Sequence, residues 1–126
     1  MWIMIAGPYR SGANSQADRE HNLTNLNRAA YELFRKGHVP VVGVNCALPL
    51  IAAAGSDAYE SIMMPLSLAM ADRCDAVLRI GGFSAGADEE VELIRSRGGI
   101  AYYSLAEVPD AIKDPLEPVS LDSPQN

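Results

Sequence analysis

Short apolar runs alternate with segments of helical periodicity along this chain. The runs at residues 2–6, 38–44, 75–80 and 100–104 are largely apolar, which predicts strands buried on both faces of a sheet. Between them, apolar residues recur every three or four positions, which predicts amphipathic helices. Alternating strands and helices favour parallel pairing through right-handed crossovers. The pattern therefore predicts an α/β fold, a flavodoxin-like or Rossmann-like three-layer sandwich with a mostly parallel sheet of four to five strands.

The ends of the predicted helices are marked by glycine, serine and proline. Gly37 stops the first helix, and Ser56 provides a capping signal for the third. Pro49 interrupts the second helix, and Pro65 is expected to kink or restart the third. These signals place helices at residues 21–36, at 45–55, from Ser56 onward, at 89–97 and at 105–114.

The length of 126 residues is that of one ordinary domain. We expect this domain to occupy residues 1–113. Residues 114–126 contain three prolines and few residues that a core could bury, so they are predicted to form an extended or disordered tail.

Charge and composition narrow the classes of partner. The formal net charge is −6, so broad attraction to a nucleic-acid polymer is not expected. No apolar run approaches the length of a membrane span, and the N-terminal run is too short for a signal peptide, which predicts a cytoplasmic protein without a membrane partner. Cys46 and Cys74 are interpreted as buried free thiols, and His21 and His38 as surface or capping residues. No metal or organic cofactor is expected.

Three loops are predicted to meet where a parallel sheet binds its ligands, beyond the carboxyl ends of the strands. They span residues 7–19, 45–49 and 81–87. In the first, Gly7 and Gly12 allow close backbone approach to a ligand, and Arg10 can clamp a phosphate or carboxylate. The alternative is a plain surface loop with a solvated arginine. The loop has neither the Walker sequence nor the GxGxxG pattern.

The third loop leads into a helix with several acidic residues. Ser84 and Gly86 precede the predicted helix and can form an anion site, although Ser84 can equally be a simple N-cap. Glu90 is predicted in the first turn, pointing into the cleft. Glu89 and Glu92 are rotated away from it by about 100° and 200°. Glu90 is therefore the candidate catalytic carboxylate.

One further charge lies just before that loop. Arg79 stands in an otherwise apolar strand, close to its end. At that position it can reach the cleft or pair with a carboxylate.

Three segments together resemble the nucleoside 2-deoxyribosyltransferase-like superfamily, which includes deoxynucleoside monophosphate N-glycosidases. They are IMIAGPYRSG near the N-terminus, RKGHVPVVGVN in the middle, and CDAVLRIGGFSAGADEEVELIRSRG. The resemblance covers roughly residues 2–104. Its most specific part is the pattern Ser-x-Gly-x-x-x-Glu after the third strand, here Ser84, Gly86 and Glu90.

The resemblance implies a mechanism and a set of roles. Glu90 would attack the anomeric carbon of a deoxyribosyl group and release the base, and water or a second base would resolve the glycosyl ester. Phosphate or sugar hydroxyls would be held by Ser84, Gly86 and Arg10, while Gly7 and Tyr9 would line the sugar and base. Members of the superfamily are generally oligomers, so a homodimer or larger assembly is expected.

The chain departs from the superfamily pattern at one position. An Asp that orients the sugar or assists proton transfer commonly lies eight residues before the Asp of the third strand. Counting back from Asp75 gives Ser67. Either another acid, such as Asp57 or Glu60, replaces it, or the activity is altered or lost. The sequence thus predicts cleavage or transfer at a nucleoside or nucleotide N-glycosidic bond, with a catalytically silent nucleotide- or sugar-phosphate-binding protein as the alternative.

Overall fold

A four-stranded parallel sheet forms the centre of the molecule, and helices cover both of its faces. The computed structural model describes residues 1–111. The strands are paired in the order β2-β1-β3-β4, and every pair is parallel. The predicted three-layer α/β sandwich is therefore confirmed. The elements are β1 (Trp2–Ala6), α1 (Gln16–Arg35), β2 (Val39–Val41), α2 (Gly43–Ala54), α3 (Tyr59–Ala71), β3 (Ala76–Arg79), α4 (Ala85–Ser96) and β4 (Ile100–Tyr102), with 3-10 turns at Ser56–Ala58 and Leu105–Glu107.

Successive residues of the central strands point to opposite faces, which divides the core in two. Ile3 and Ile5 of β1 pack beneath α1, where Leu33 is fully buried. Met4 and the other alternate residues of β1 face α3 and α4. The strand period of two thus explains why the central runs are apolar at every position.

Serine caps set the starts of α1 and α4 earlier than predicted. Ser15 Oγ accepts a hydrogen bond from the Asp18 N–H at 3.1 Å, so α1 begins at Gln16 and not at residue 21. Ser84 Oγ accepts one from the Ala87 N–H at 3.2 Å, so α4 begins at Ala85 and not at residue 89. In both cases a capped first turn of small or polar residues is helical although it lacks apolar periodicity.

The connection after β2 is also different from the prediction. β2 contains only three residues, and α2 begins two residues after it, so residues 45–49 are helical and do not form a ligand loop. The reason is close packing between α2 and α3, since a Cβ at Gly43 would lie 2.1 Å from Ser67 Oγ. Glycine at this position lets the start of α2 lie directly against α3.

Neither helical proline ends its helix. α2 continues through Pro49 and α3 through Pro65, although each proline removes one backbone hydrogen bond. The two helices pack on each other, and the residues buried between them are Ala47, Ile51 and Met63.

Two side chains have an environment opposite to the predicted one. His38 is only 3% exposed, so its predicted surface position is wrong, whereas His21 is exposed. Cys46 is exposed and only Cys74 is buried, and both are free thiols. The tail predicted at residues 114–126, like the exact end of the domain, lies outside the described residues. Among residues 1–111, no helix combines the length and hydropathy needed to cross a membrane.

Candidate active site

A cavity of about 170 Å³ opens at the carboxyl ends of β1 and β3. The chain runs outward from β1 to β2 in one direction and from β3 to β4 in the other, so the strand order reverses at this point. Such a switch point leaves a crevice between adjacent loops, where α/β proteins bind ligands. All seven residues predicted to form a site lie around it. The cavity is lined by Gly7, Tyr9, Arg10, Ser11, Val44, Tyr59, Met63, Met64, Ser67, Ser84, Gly86, Ala87 and Glu90.

Glu90 lies on the buried side of α4, in the second turn and not in the predicted first turn. The buried residues of α4 follow one another at intervals of three, one and three positions, which places them on one face of the helix. They are Ala87, Glu90, Val91 and Ile94. A carboxylate therefore occupies the apolar stripe that packs on the sheet. Glu89 and Glu92 are exposed, as predicted from the helical rotation. The acidic residue of the first turn is Asp88.

The Glu90 carboxyl is desolvated without being paired. It is 8% exposed, and no group within residues 1–111 forms a hydrogen bond or ion pair with it. Every fully enclosed side-chain oxygen or nitrogen in the described part of the chain has a partner, so the unpaired Glu90 oxygens reach the open cavity. Burial raises the pKa of Glu90 to about 8, Arg79 opposes this rise, and Glu89 adds to it.

Ser67 is the second buried polar group without a partner at this cavity. It is 3% exposed, and its hydroxyl forms no hydrogen bond with any other described residue. The two acids considered as replacements for the superfamily Asp are both exposed, and neither lines the cavity. They are Asp57 and Glu60. Glu90 is consequently the only carboxylate among the described residues that line the cavity.

Ser84 and Gly86 line the cavity where α4 begins. Ser84 is the N-cap, so the predicted capping role is confirmed. The Ser84 hydroxyl accepts a hydrogen bond from the third N–H of the helix, that of Ala87. The first two N–H groups, those of Ala85 and Gly86, have no acceptor within the helix. These donors make the start of α4 suited to an anionic or hydroxyl-bearing ligand.

Arg10 and two tyrosines form the remaining polar wall. The Arg10 guanidinium stacks 3.3 Å from the centre of the Tyr59 ring and lies 3.9 Å from a Glu60 oxygen. Burial raises the pKa of Tyr59 and the Arg10 charge opposes that rise. The Arg10 side chain is half exposed, so it is neither freely solvated nor locked in an internal ion pair. Tyr9 lies in the same loop as Arg10, and its carbonyl accepts a hydrogen bond from Asn22 at 2.8 Å.

Gly7 lines the cavity, and packing around it already requires glycine. A Cβ at this position would come within 2.9 Å of both the Ile80 carbonyl oxygen and a Leu26 methyl carbon. Glycine is therefore required by packing between the ends of β1 and β3, with or without a ligand. Gly12 has a φ of +73°, which favours glycine, and a Cβ added at this position would have no other heavy atom within 4 Å.

Several cavity residues had no signal in the sequence. Met63, Met64 and Tyr59 follow the spacing of core residues along α3, and Val44 reaches the cavity only because α2 begins so early. A pattern of one charge within an apolar stripe is the signal that identifies Glu90 independently of any motif.

Within residues 1–111, no group of three or more His, Cys, Asp or Glu side chains is placed to hold a metal ion. Comparison of the sequence with protein-family models and with curated proteins found no match.

Proposed function

We propose that this protein cleaves or transfers the N-glycosidic bond of a nucleoside or nucleoside 5′-monophosphate, with Glu90 as the nucleophile. The observation that carries the proposal is an unpaired, buried carboxylate that faces a cavity at the switch point of the sheet. Burying such a group costs stability unless it serves a ligand or a reaction. The resemblance of Ser84, Gly86 and Glu90 to the deoxyribosyltransferase pattern supports the same reaction.

The size of the cavity suits one ring of such a substrate. About 170 Å³ is close to the roughly 150 Å³ of an apolar cavity that holds benzene. A sugar ring fits this space, with its anomeric carbon toward Glu90. A 5′-phosphate would then extend to the start of α4 or to Arg10, and the base would stack near Tyr9 and Tyr59.

In the first step, a Glu90 carboxylate oxygen attacks the anomeric carbon. The bond from that carbon to the base nitrogen breaks, and its electron pair leaves with the base, which takes up a proton. The product is a glycosyl ester of Glu90. Attack requires the ionised carboxylate, and binding of the sugar in place of water strengthens its interaction with the positive charge that develops on the sugar.

In the second step, the ester is resolved. A water molecule, or the nitrogen of a second base, attacks the same carbon and displaces the Glu90 carboxylate. The attacking group loses a proton. Hydrolysis yields a free sugar or sugar phosphate, and transfer yields a new nucleoside or nucleotide. Both reactions regenerate the enzyme with atoms and charges balanced.

The test is release of free base from a panel of deoxynucleosides, ribonucleosides and their 5′-monophosphates. Wild type is expected to release base from at least one member, and Glu90→Ala is expected to lose the activity by at least about a thousandfold. Glu92→Gln is the matched control because Glu92 is exposed on the same helix. Equal inactivity of wild type and Glu90→Ala over the whole panel would sink the proposal. Trapping of a glycosyl ester on Glu90 by mass spectrometry would support it directly.

A second candidate function is supported by Ser67. With serine where the superfamily commonly has Asp, and with no second carboxylate at the cavity, the described site holds no obvious acid to protonate the leaving base. The protein would then bind a nucleotide or sugar phosphate without turning it over. Thermal stabilisation by such ligands without release of base would select this function, because a ligand that binds only the folded state raises its stability.

We also propose that the chain forms a homodimer or larger assembly, as the resemblance implies. Phe83, directly before Ser84 at the cavity mouth, is 80% exposed, and Leu50 on α2 is 50% exposed. Association would cover such apolar side chains. Sedimentation equilibrium tests this directly, and a monomer at all accessible concentrations would contradict it.

A further inference from the structure

Arg79 is a nearly buried cation that lies outside the cavity. It is the last residue of β3, and its side chain is only 11% exposed. Val77 faces α3 and α4, so Arg79, two residues later in the strand, faces the same side. The strand period therefore directs the guanidinium toward α4, the helix that carries Glu90.

The guanidinium connects three consecutive parts of the chain. Its Nε donates to Asp88 Oδ1 at 3.0 Å, in the first turn of α4. One Nη donates to the Gly82 carbonyl at 2.8 Å, in the loop between β3 and α4, and the other donates to the Ile80 carbonyl at the strand end. We call these three contacts the Arg79 brace. A planar fork of five N–H donors can satisfy all three acceptors at once, which a lysine ammonium on a flexible stem cannot match.

The brace surrounds the segment that begins α4. Ser84 lies between the Gly82 and Asp88 contacts, and the hydroxyl of this N-cap is one of the groups around the cavity. Glu90 follows Asp88 by two residues in the same continuous helix. Because a capped helix turn is rigid, fixing the first turn against β3 also fixes the direction in which Glu90 enters the cavity.

We propose that Arg79 is a positioning residue for the reaction at Glu90, acting through the Arg79 brace on the loop between β3 and α4. This inference rests on the proposed function for its kinetic consequence, while the brace itself is independent of it. Arg79 does not line the cavity, so it would act on a bound substrate only through other residues. Its task is to hold the start of α4 and to place a positive charge on the side of Glu90 that faces the sheet.

The charge of Arg79 is relevant because, among the described residues, only Arg79 and Glu89 shift the pKa of Glu90 by their charge. Arg79 lowers the pKa of Glu90 against the effect of burial, and Glu89 raises it. The Cys74 thiol, whose pKa is raised to about 11 by its own burial, is neutral at physiological pH. The remaining titratable groups at the cavity are Tyr9, Arg10 and Tyr59.

Three variants separate the geometry of the brace from its charge. Arg79→Gln removes the charge and the full fork, Arg79→Lys keeps the charge and loses the fork, and Asp88→Asn keeps Arg79 while weakening its contact to α4. The pKa of Glu90 is measured in each by NMR of protein labelled with ¹³C at the glutamate carboxyl, with Glu90→Gln identifying the resonance. Base release is measured as kcat and KM over the pH range.

Arg79→Gln is expected to raise the pKa of Glu90 by about one pH unit, because an opposite charge is lost. It is also expected to lower kcat at least about tenfold at a pH above that pKa, where ionisation no longer limits the rate. Arg79→Lys is expected to lower kcat with a smaller change in the pKa. Asp88→Asn is expected to lower kcat severalfold without raising the pKa. KM is expected to change less than kcat in all three.

A folded Arg79→Gln protein that keeps both the wild-type pKa of Glu90 and the wild-type kcat would overturn the inference. If Arg79→Gln fails to fold, the other two variants decide, and unchanged kcat in both has the same meaning. Failure of the proposed function is distinguishable, since the NMR titration requires no turnover. A pKa that responds to Arg79→Gln in a protein without base release would contradict the proposed reaction while retaining the electrostatic link.

Discussion

Two buried polar groups, His38 and Glu90, stand at opposite ends of the sheet and have opposite surroundings. His38 precedes β2 at the amino ends of the strands. Its Nδ1 accepts a hydrogen bond from the Met1 ammonium at 2.9 Å, and its Nε2–H donates to the Pro109 carbonyl at 2.7 Å. Since an ammonium only donates and a carbonyl only accepts, these contacts define one neutral tautomer. Glu90, at the carboxyl ends, has no such partners within residues 1–111.

The difference indicates which polar group serves structure and which serves a ligand. His38 joins the first residue to the segment after the last strand, and Lys36 adds an ion pair to Asp110 at 3.3 Å in the same place. A buried polar group with all its hydrogen bonds made is an ordinary part of a fold. A buried carboxylate with none reduces stability, and it is retained where chemistry or binding requires it.

The largest expected effect is an increase in the unfolding free energy on the substitution Glu90→Gln. The Glu90 carboxyl has a pKa of 4.5 when unfolded and about 8 when folded, so the native state binds the extra proton between these values. The unfolding free energy of wild type therefore falls as pH rises from about 4.5 to about 8. Glu90→Gln lacks this loss and is expected to be more stable at pH 8 by on the order of 3 kcal/mol, with little difference at pH 4.5.

Urea unfolding of both proteins at a series of pH values measures this difference. Glu92→Gln serves as the control, because the exposed Glu92 should give no comparable pH-dependent gain. A constant or shrinking difference between wild type and Glu90→Gln from pH 5 to pH 8 would contradict the assigned environment of Glu90.

The next effect concerns the pH dependence of base release. The nucleophile must be ionised, and with a pKa of about 8 the ionised fraction of Glu90 rises steeply from pH 6 to pH 8. The rate constant kcat/KM is expected to increase by roughly fiftyfold over this range. Steady-state kinetics in overlapping buffers test it. A profile that is flat between pH 6 and pH 8 would mean that Glu90 is already ionised in the free protein.

His38→Leu tests the buried polar group at the other end of the sheet. The substitution leaves the Met1 ammonium and the Pro109 carbonyl without their partner, and it is expected to reduce stability by about 2 kcal/mol at neutral pH. Because His38 is remote from the cavity, the pKa of Glu90 should stay unchanged. Chemical denaturation and the carboxyl NMR titration check both parts. Loss of stability below about 0.5 kcal/mol would show that these hydrogen bonds are replaced by water.

The smallest expected effect on stability belongs to Ser67→Ala. The hydroxyl forms no hydrogen bond within the described residues, so its removal should change the unfolding free energy by less than about 0.5 kcal/mol. Ligand affinity is expected to fall severalfold, because the hydroxyl is open to the cavity. Thermal denaturation and isothermal titration with a ligand found in the panel measure the two quantities. A large loss of stability would instead assign Ser67 a structural role.

Much of this architecture could be predicted from local patterns. Continuous apolar runs predict strands covered on both faces, and alternation with helices predicts that ligands bind beyond their carboxyl ends. That β1 and β3 are the central strands, with the cavity between the loops that follow them, is known only from the strand order of the structure. Helix starts were predicted less well. Ser15 and Ser84 each cap a first helical turn that lacks an apolar pattern. Apolar periodicity does not predict such a turn.

The α/β class, the strands of the sheet and the choice of Glu90 over Glu89 and Glu92 follow from local sequence patterns, because strand and helix periods depend only on residue order. The remaining features arise from the packing of the elements. In the folded chain, α3 closes one side of the cavity, and Asp57 and Glu60 lie outside the cavity. Glu90 is buried without a partner among the described residues. Those outcomes depend on how separate elements pack, since desolvation and hydrogen-bond satisfaction are properties of the surroundings of a side chain and not of its place in the chain.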